Sequence, residues 1–339
     1  MGIRGLTGWI RWLSPEVRKA PDWSALRGQK VGVDILGFLY KTKAQRTCPL
    51  RWLAQFIAAC TLLEIQPVLV FDGKPPDCKR AALTQRSNAR LLCTEQYSRL
   101  SQEAEIVPMS EGQKSVIDAH LSMLSKQTAY FTSEERDHCK QFLYACGVLA
   151  LNASGEADNV LAYFARRGDF AAIISNDLDL LARGVEHLLV PDSYALPGDA
   201  DGWIQYNLSE ILEHTNLSYE QFLEMCVLMG CDYTVGHKSL PYKSAYWAIR
   251  YRGALQSTLK VLHVSDSSVY DDAIDRLKGN YDTPELLMGE KQWEKWAAGA
   301  PPKEQAALAV FRKGTLAPLP EPIYTVLTRT RSHQELLSS

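Results

Sequence analysis

The 339-residue chain has eight cysteines but no Cys-x-x-Cys pair and no His/Cys cluster. Cys226 and Cys231, five apart, fit no standard zinc spacing. Nor does any apolar run reach membrane length, since the longest candidate, Phe56 to Phe71, is broken by Glu64, Gln66 and Pro67. Arg4 and Arg11 interrupt the first apolar residues, so no secretory signal is expected, and Leu6 spoils a myristoylation pattern after Gly2. Reduced thiols follow as the default. Repeats and low-complexity tracts are lacking, and so is an excess of either charge sign, with 37 Lys and Arg against 39 Asp and Glu and a net charge of −2. Near-neutrality weighs little against a nucleic-acid partner, because a basic face can hide inside a balanced total. An apolar fraction of 46% and a charged fraction of 22% fit a soluble globular protein of one large or two ordinary domains.

What the chain does have is carboxylates at the ends of apolar runs. Ser154 to Gly184 reads SGEADNVLAYFARRGDFAAIISNDLDLLARG. An apolar run, Val148 to Leu151, precedes it and leads to Glu156 and Asp158. Ala157, Val160, Leu161, Phe164 and Ala165 then recur at the spacing of one helix face. A Gly168-Asp169 turn leads to a second run, Ala171 to Ile174, that ends in Asp177 and Asp179. This is a strand–helix–strand unit followed by a new helix. Strands of a parallel sheet are covered on both faces and read as continuous apolar runs, and ligands bind beyond their carboxyl ends. Four carboxylates are therefore expected in one crevice. Like charges that close cannot all ionise uncompensated: either some hold protons or cations sit among them. An oxygen-rich set favours Mg2+ or Mn2+ over zinc. A lone acid at a strand end commonly starts a helix and favours its dipole, but that does not account for two acids on each of two strands.

Two further runs behave in the same way. Val31 to Val33 ends at Asp34, and Pro67 to Phe71 ends at Asp72. Alone, Asp34 reads as a helix N-cap and Asp72 as a turn residue; the fourfold coincidence favours one site. From Lys74 to about Lys126 the character changes. Lys74, Lys79, Arg80, Arg86, Arg90 and Arg99 crowd the first part, and apolar residues are too few for a deeply buried helix. The segment reads as a helical excursion whose basic limb, following Asp72 directly, suits phosphates; most charge runs, though, are solvated faces. A helix from Ser133 to Cys146 starts with a Thr132–Glu135 capping box. Further strands are expected at 188–190 and 203–206, and helices at 208–214, 219–228, 243–251, 254–263 and 271–277. Asp232, in the Gly-containing turn Met229 to Thr234, is a seventh acidic candidate.

In these motifs the chain resembles the flap endonuclease family, the structure-specific 5′ nucleases that include the XPG-type and exonuclease branches. MGIRGL, GVDILGFLYK, VFDGKPPDCKR, SGEADN, SNDLDLL and LMGCDYT resemble its motifs in order, over residues 1 to about 251. The resemblance implies metal-binding carboxylates at Asp34, Asp72, Glu156, Asp158, Asp177, Asp179 and Asp232. It implies catalytic basic residues at Lys79 and Arg86, at the base of a helical arch, with Arg80 and Arg90 as DNA-contacting neighbours. Tyr40 would stack on a base near the scissile phosphate, and Gly2, freed by loss of Met1, would lie near the DNA junction. The implied fold is α/β, a PIN-like core with a twisted, mostly parallel sheet flanked by helices, an inserted helical arch and a helix-hairpin-helix-like C-terminal region. The expected division is 1–72 and 131–251 for the nuclease core, the latter with a DNA-binding helical hairpin, 73–130 for the arch, and 252–339 for a C-terminal region without assignment.

Three departures stand out. Where the family has a glycine-rich hairpin, this chain has Ser239-Leu240-Pro241-Tyr242-Lys243-Ser244-Ala245. Pro241 lacks an N–H, so duplex contact there would fall to Lys238 and Lys243 as point charges. The loop between Tyr40 and Leu53, which helps shape a 3′-flap pocket, is shorter than the family pattern. No Q-x-x-L-x-x-F-F clamp-binding tail is seen; Gln334 to Leu337 lacks the aromatics. The expectation is a Mg2+-dependent 5′ nuclease using two ions, with Mn2+ as a substitute. It would act as a monomer on branched or 5′-ended DNA in the nucleus or another DNA-containing compartment, a viral replication site included. The alternatives are a non-catalytic junction binder on the same scaffold and a related metal-dependent ribonuclease.

Overall fold

A computed structural model describes residues 2–279 apart from 14, 46, 77–78, 107–109, 192–194, 200, 238–239 and 265. Lys238, Ser239, the prolines from Pro301 onward and Gln334 to Leu337 lie outside the described residues. The described chain forms two compact units, one within 2–35, 56–74 and 148–279, the other within 36–55 and 75–147.

The first unit is built on a six-stranded sheet. In chain order its strands are β1 (Lys30–Asp34), β2 (Gln66–Phe71), β3 (Leu149–Asn152), β4 (Ala172–Ile174), β5 (His187–Pro191) and β6 (Trp203–Asn207). Their spatial order is β3-β2-β1-β4-β5-β6. All neighbours are parallel except β5 and β6. Val31, Val33, Val68, Leu69, Val70, Ile173 and Ile174 are buried, as strands covered on both faces require. The antiparallel direction of β6 against β5 is one that composition cannot reveal.

This order places the carboxyl ends of β3, β2, β1 and β4 side by side. Asp34 is level with Val70, Val33 with Ile174, and Phe71 with Asn152. The four apolar runs that end in acids are thus the four adjacent parallel strands. Helix α7 (Ala157–Arg166) buries Val160, Leu161 and Phe164 in the core, together with Trp9 of α1 (Leu6–Trp12) and Phe222 of α10 (Tyr219–Met229). Helices α8 (Asp179–Ala182), α9 (Leu208–Thr215), α11 (Tyr242–Arg252), α12 (Leu255–Val261) and α13 (Ser268–Lys278) complete the unit.

The second unit is helical. It holds most of α2 (Ile35–Ala44), the start of α3 (Pro49–Leu62), and α4 (Arg80–Ile106), α5 (Glu111–Thr128) and α6 (Ser133–Ala145). Helices α4 and α5 pack on each other. Both α5 and α6 start in complete capping boxes, Ser110 with Gln113 and Thr132 with Glu135. Phe131, Phe142 and Leu143 are buried, and Phe38 stacks on Trp52 with ring centres 5.2 Å apart. None of the described side chains of the 27-residue α4 is buried.

Candidate active site

The seven carboxylates lie in the first unit, and short bonds tie most of them to fixed backbone. Asp72 Oδ1 accepts the Ala157 N–H at 2.7 Å, capping α7. Glu156 holds the N-cap position of that helix but makes no side-chain cap bond. Asp72 is therefore more than a turn residue, and Glu156 is left for other work. Ser175, the residue after β4, donates its hydroxyl to Asp34 Oδ2 at 2.9 Å and accepts the Asp177 N–H at 3.0 Å. Asp177 Oδ1 in turn accepts the Asp179 N–H at 3.0 Å.

The N-terminal segment closes this end of the sheet. Asp179 Oδ1 accepts the Ile3 N–H at 2.7 Å, and Asp232 Oδ1 accepts the Gly2 N–H at 3.3 Å. A Cβ on Gly2 would stand 3.0 Å from Asp179 Oδ1. Two tight backbone approaches set the loops. A Cβ on Gly73 would fall 2.0 Å from the Ala153 carbonyl oxygen, so only glycine lets the chain after Asp72 run against the chain after β3. Gly230, at φ 102°, closes the turn that carries Asp232, where Cys231 and Thr234 pair.

The electrostatics match this crowding. Burial, then the Asp177, Asp34 and Asp72 charges, push Asp158 well above the usual carboxylate range, with Arg183 opposing. Burial, then Asp177 and Asp232, raise Asp179 to about 8, with the Ile3 N–H and Arg183 opposing. Arg183 is 2% exposed. It donates to Asn159 Oδ1 at 2.5 Å, to the Tyr233 hydroxyl at 2.8 Å and to Glu156 Oε2 at 3.4 Å. Tyr233 itself donates to Glu156 Oε2 at 2.6 Å.

Ser175, Asn159, Arg183 and Tyr233 escaped the reading of the sequence. The one available signal was Arg183, a cation within the apolar run after Asp179. Its partners are 24, 27 and 50 residues away in sequence, which no local pattern reveals.

Among the described residues, no three His, Cys, Asp or Glu side chains already stand as a metal cage. The donor set nonetheless fits a hard divalent cation: it is all oxygen, and burial, then repulsion from neighbouring acids, hold Asp158 and Asp179 toward the protonated form. The cysteines offer no rival chemistry. All seven within the described residues are free, and burial pushes Cys139 and Cys146 up to about 12.

The basic candidates and Tyr40 belong to the second unit. Lys79 is partly buried just before α4, while Arg80 and Arg86 are exposed on it. The Arg90 guanidinium lies 4.2 Å from the Tyr130 ring centre. Tyr40 is 38% exposed and 6.2 Å from the Phe131 ring. In the first unit, Lys243 is exposed near the start of α11, 5.1 Å from the Trp12 ring centre.

Comparison with known proteins agrees with this architecture. The XPG N-terminal domain matches residues 1–92 and the XPG I-region matches residues 147–232, together more than half of the chain. A flap endonuclease 1 of Glycine max is 27% identical over 323 residues, covering 88% of this chain and 79% of the relative. Among solved structures, the catalytic core of Rad2 in complex with DNA substrate superposes with a TM-score of 0.62 at 16% identity, covering 96% of this chain and 100% of that one. The Holliday junction-resolving enzyme GEN1, with product DNA and Mg2+ and Mn2+ ions, gives 0.55 at 16% identity, covering 93% of this chain and 72% of that one. With its acids at the ends of β1 to β4 and both family segments matched in order, the chain belongs to the flap endonuclease/XPG-type nuclease family.

Proposed function

We propose that the chain is a divalent-metal-dependent, structure-specific 5′ nuclease that hydrolyses phosphodiesters in branched or 5′-ended DNA and works as a monomer. The observation that carries the proposal is the convergence of carboxylates at the ends of four adjacent parallel strands, linked through Ser175 and the Ile3, Ala157 and Asp179 N–H groups.

Asp34, Asp72, Glu156, Asp158, Asp177, Asp179 and Asp232 would hold the cations, with two Mg2+ the expected complement and Mn2+ a substitute. When bound, such ions activate water and neutralise charge on the scissile phosphate and the departing oxygen. The residues supply the rest. Ser175 fixes Asp34 relative to Asp177, and Asp72 anchors the start of α7. Arg183 offsets part of the negative charge and, with Tyr233, holds Glu156. Lys79 and Arg86 would donate to phosphate oxygens as their charge grows, stabilising the transition state more than the ground state. Tyr40 would stack on the base beside the scissile bond. The products would carry a 5′-phosphate and a 3′-hydroxyl. Among the described residues, no helix is long and apolar enough to cross a membrane; a nuclear or other DNA-containing compartment suits the proposed reaction.

A labelled panel of flap, nicked, gapped, blunt and four-way-junction DNAs, incubated with Mg2+ and mapped at nucleotide resolution, tests this reading. Cleavage near a 5′ branch or end is expected. Tight binding without product would mean a junction-binding protein, and preference for RNA flaps would mean a ribonuclease.

A further inference from the structure

Helix α11 carries exposed rings that the nuclease reading leaves without a task, beside Lys243, which that reading gives to the DNA. Lys243, Trp247 and Tyr251 are four residues apart, so they line one face of the helix. That face is exposed: Trp247 at 42%, Tyr251 at 79%, and Trp12 of α1 beside it at 37%. The rings form a ladder. Trp12 meets Trp247 edge-on at 6.5 Å, and Trp247 stacks on Tyr251 at 5.2 Å with 21° between ring planes. The Lys243 ammonium sits 5.1 Å over the Trp12 ring, and Arg250 stands one helical turn from Trp247. The packing work of α11 is done elsewhere, by the buried Ala245, Tyr246 and Ile249.

We propose that this stripe is a stacking platform for single-stranded nucleic acid, whose bases extend the ladder outward from Tyr251 and Trp247 while Lys243 and Arg250 meet the phosphates. A Tyr ring as exposed as this leaves an open π-face at the end of an already stacked pair. Flat apolar faces interleaved with cations suit a polyanion that also carries flat aromatic bases. An apolar protein segment would match the rings but leave the cations unanswered, so the charge pattern selects nucleic acid. The platform is independent of the carboxylates and would bind with or without a divalent ion. The unpaired arm of a branched DNA is an occupant consistent with the proposed nuclease reaction, and in that respect the inference deepens that reading.

The test uses the full chain in EDTA, which keeps it separate from cleavage. Oligo(dT) is titrated while tryptophan emission and the anisotropy of a labelled strand are followed. Quenching with saturable binding is expected. Tyr251→Ala and Trp247→Ala should each weaken that binding about tenfold, and Tyr251→Phe should retain it, since stacking needs the ring and not the hydroxyl. Tyr251→Ala removes a side chain that is mostly exposed, so circular dichroism should be unchanged. Undiminished oligo(dT) binding by both alanine variants would overturn the proposal. So would concentration-dependent self-association that Tyr251→Ala abolishes while oligo(dT) leaves it untouched, because the stripe would then be a contact between copies. Failure of the DNA panel with the platform intact would leave a single-strand binder without the nuclease; the reverse would leave the nuclease without the platform.

Discussion

Asp72 and Asp179 each accept a backbone N–H at 2.7 Å, whereas Arg80 and Arg86 stand exposed on a helix with none of its described side chains buried. The carboxylates are positioned before any ligand arrives, by strand ends whose flanking residues are core. A phosphate that ordered the exposed Arg86 of α4 would take up rotamer freedom, at a cost of up to about 2 kcal/mol for a long side chain. Substituting an acid should therefore remove a built site. Substituting an α4 cation should remove only what the bound phosphate recruits.

The sharpest way to break that contrast is cleavage by Asp177→Ala. The carboxylate accepts the Asp179 N–H but is no part of the apolar core. Single-turnover cleavage of a 5′-flap substrate should fall by about a thousandfold or more while affinity in Ca2+ is kept. Near-wild-type turnover would detach Asp177 from the site. On the other side of the comparison, Lys79→Ala and Arg86→Ala should lower the single-turnover rate by about a hundredfold, with Kd little changed. Arg99→Ala should do little. Equal losses at all three positions would mean a diffuse phosphate-binding face.

Arg183 connects charge to stability within the acidic unit. Arg183→Met leaves Glu156 and Asn159 without their guanidinium, and it should destabilise the metal-free protein by about 3 kcal/mol at pH 8, read by urea unfolding. Unchanged stability would make Arg183 a bystander. A smaller effect concerns pH. Asp179 titrates at about 8 in the fold, above its unfolded value near 4, and Asp158 is shifted in the same direction. A raised carboxyl contributes its full stability below the unfolded pKa and loses it as pH rises through the folded one. In EDTA, the Tm should thus drop by several degrees from pH 5 to pH 8, and Mg2+ should restore more at pH 8 than at pH 5. A flat profile in EDTA would mean that neither burial nor the neighbouring charges raise these acids in the fold.

The four strands and their acids were legible because a parallel strand covered on both faces must be a continuous apolar run, and its end is marked by the first polar residue. The capping box at Thr132 was legible because it is local. Asp72 as the cap of α7 was not, because donor and acceptor are 85 residues apart. The same holds for Ser175 bridging to Asp34 and for Arg183 reaching Tyr233: a serine after a strand and an arginine in a helix look ordinary until the sheet order is known. The orientation of β6 and the interlock of Gly73 with Ala153 likewise depend on tertiary closeness. The basic limb shows the reverse. Its charges, its helical nature and its departure from the core were plain, yet the grouping of 36–55 and 131–147 in one unit with it is a property of contacts.

The most direct measurement needs neither DNA nor turnover. Free Mn2+ has a strong paramagnetic resonance signal that is lost on binding, so the bound ion can be counted in a titration of the full chain. Wild-type protein should take up Mn2+ at pH 7.5, and Mg2+ should displace it. Asp34→Ala combined with Asp158→Ala should abolish that uptake while circular dichroism stays unchanged, since both acids face one charge cluster. Equal Mn2+ uptake by the folded double variant would contradict a cation site built from the ends of β1 to β4.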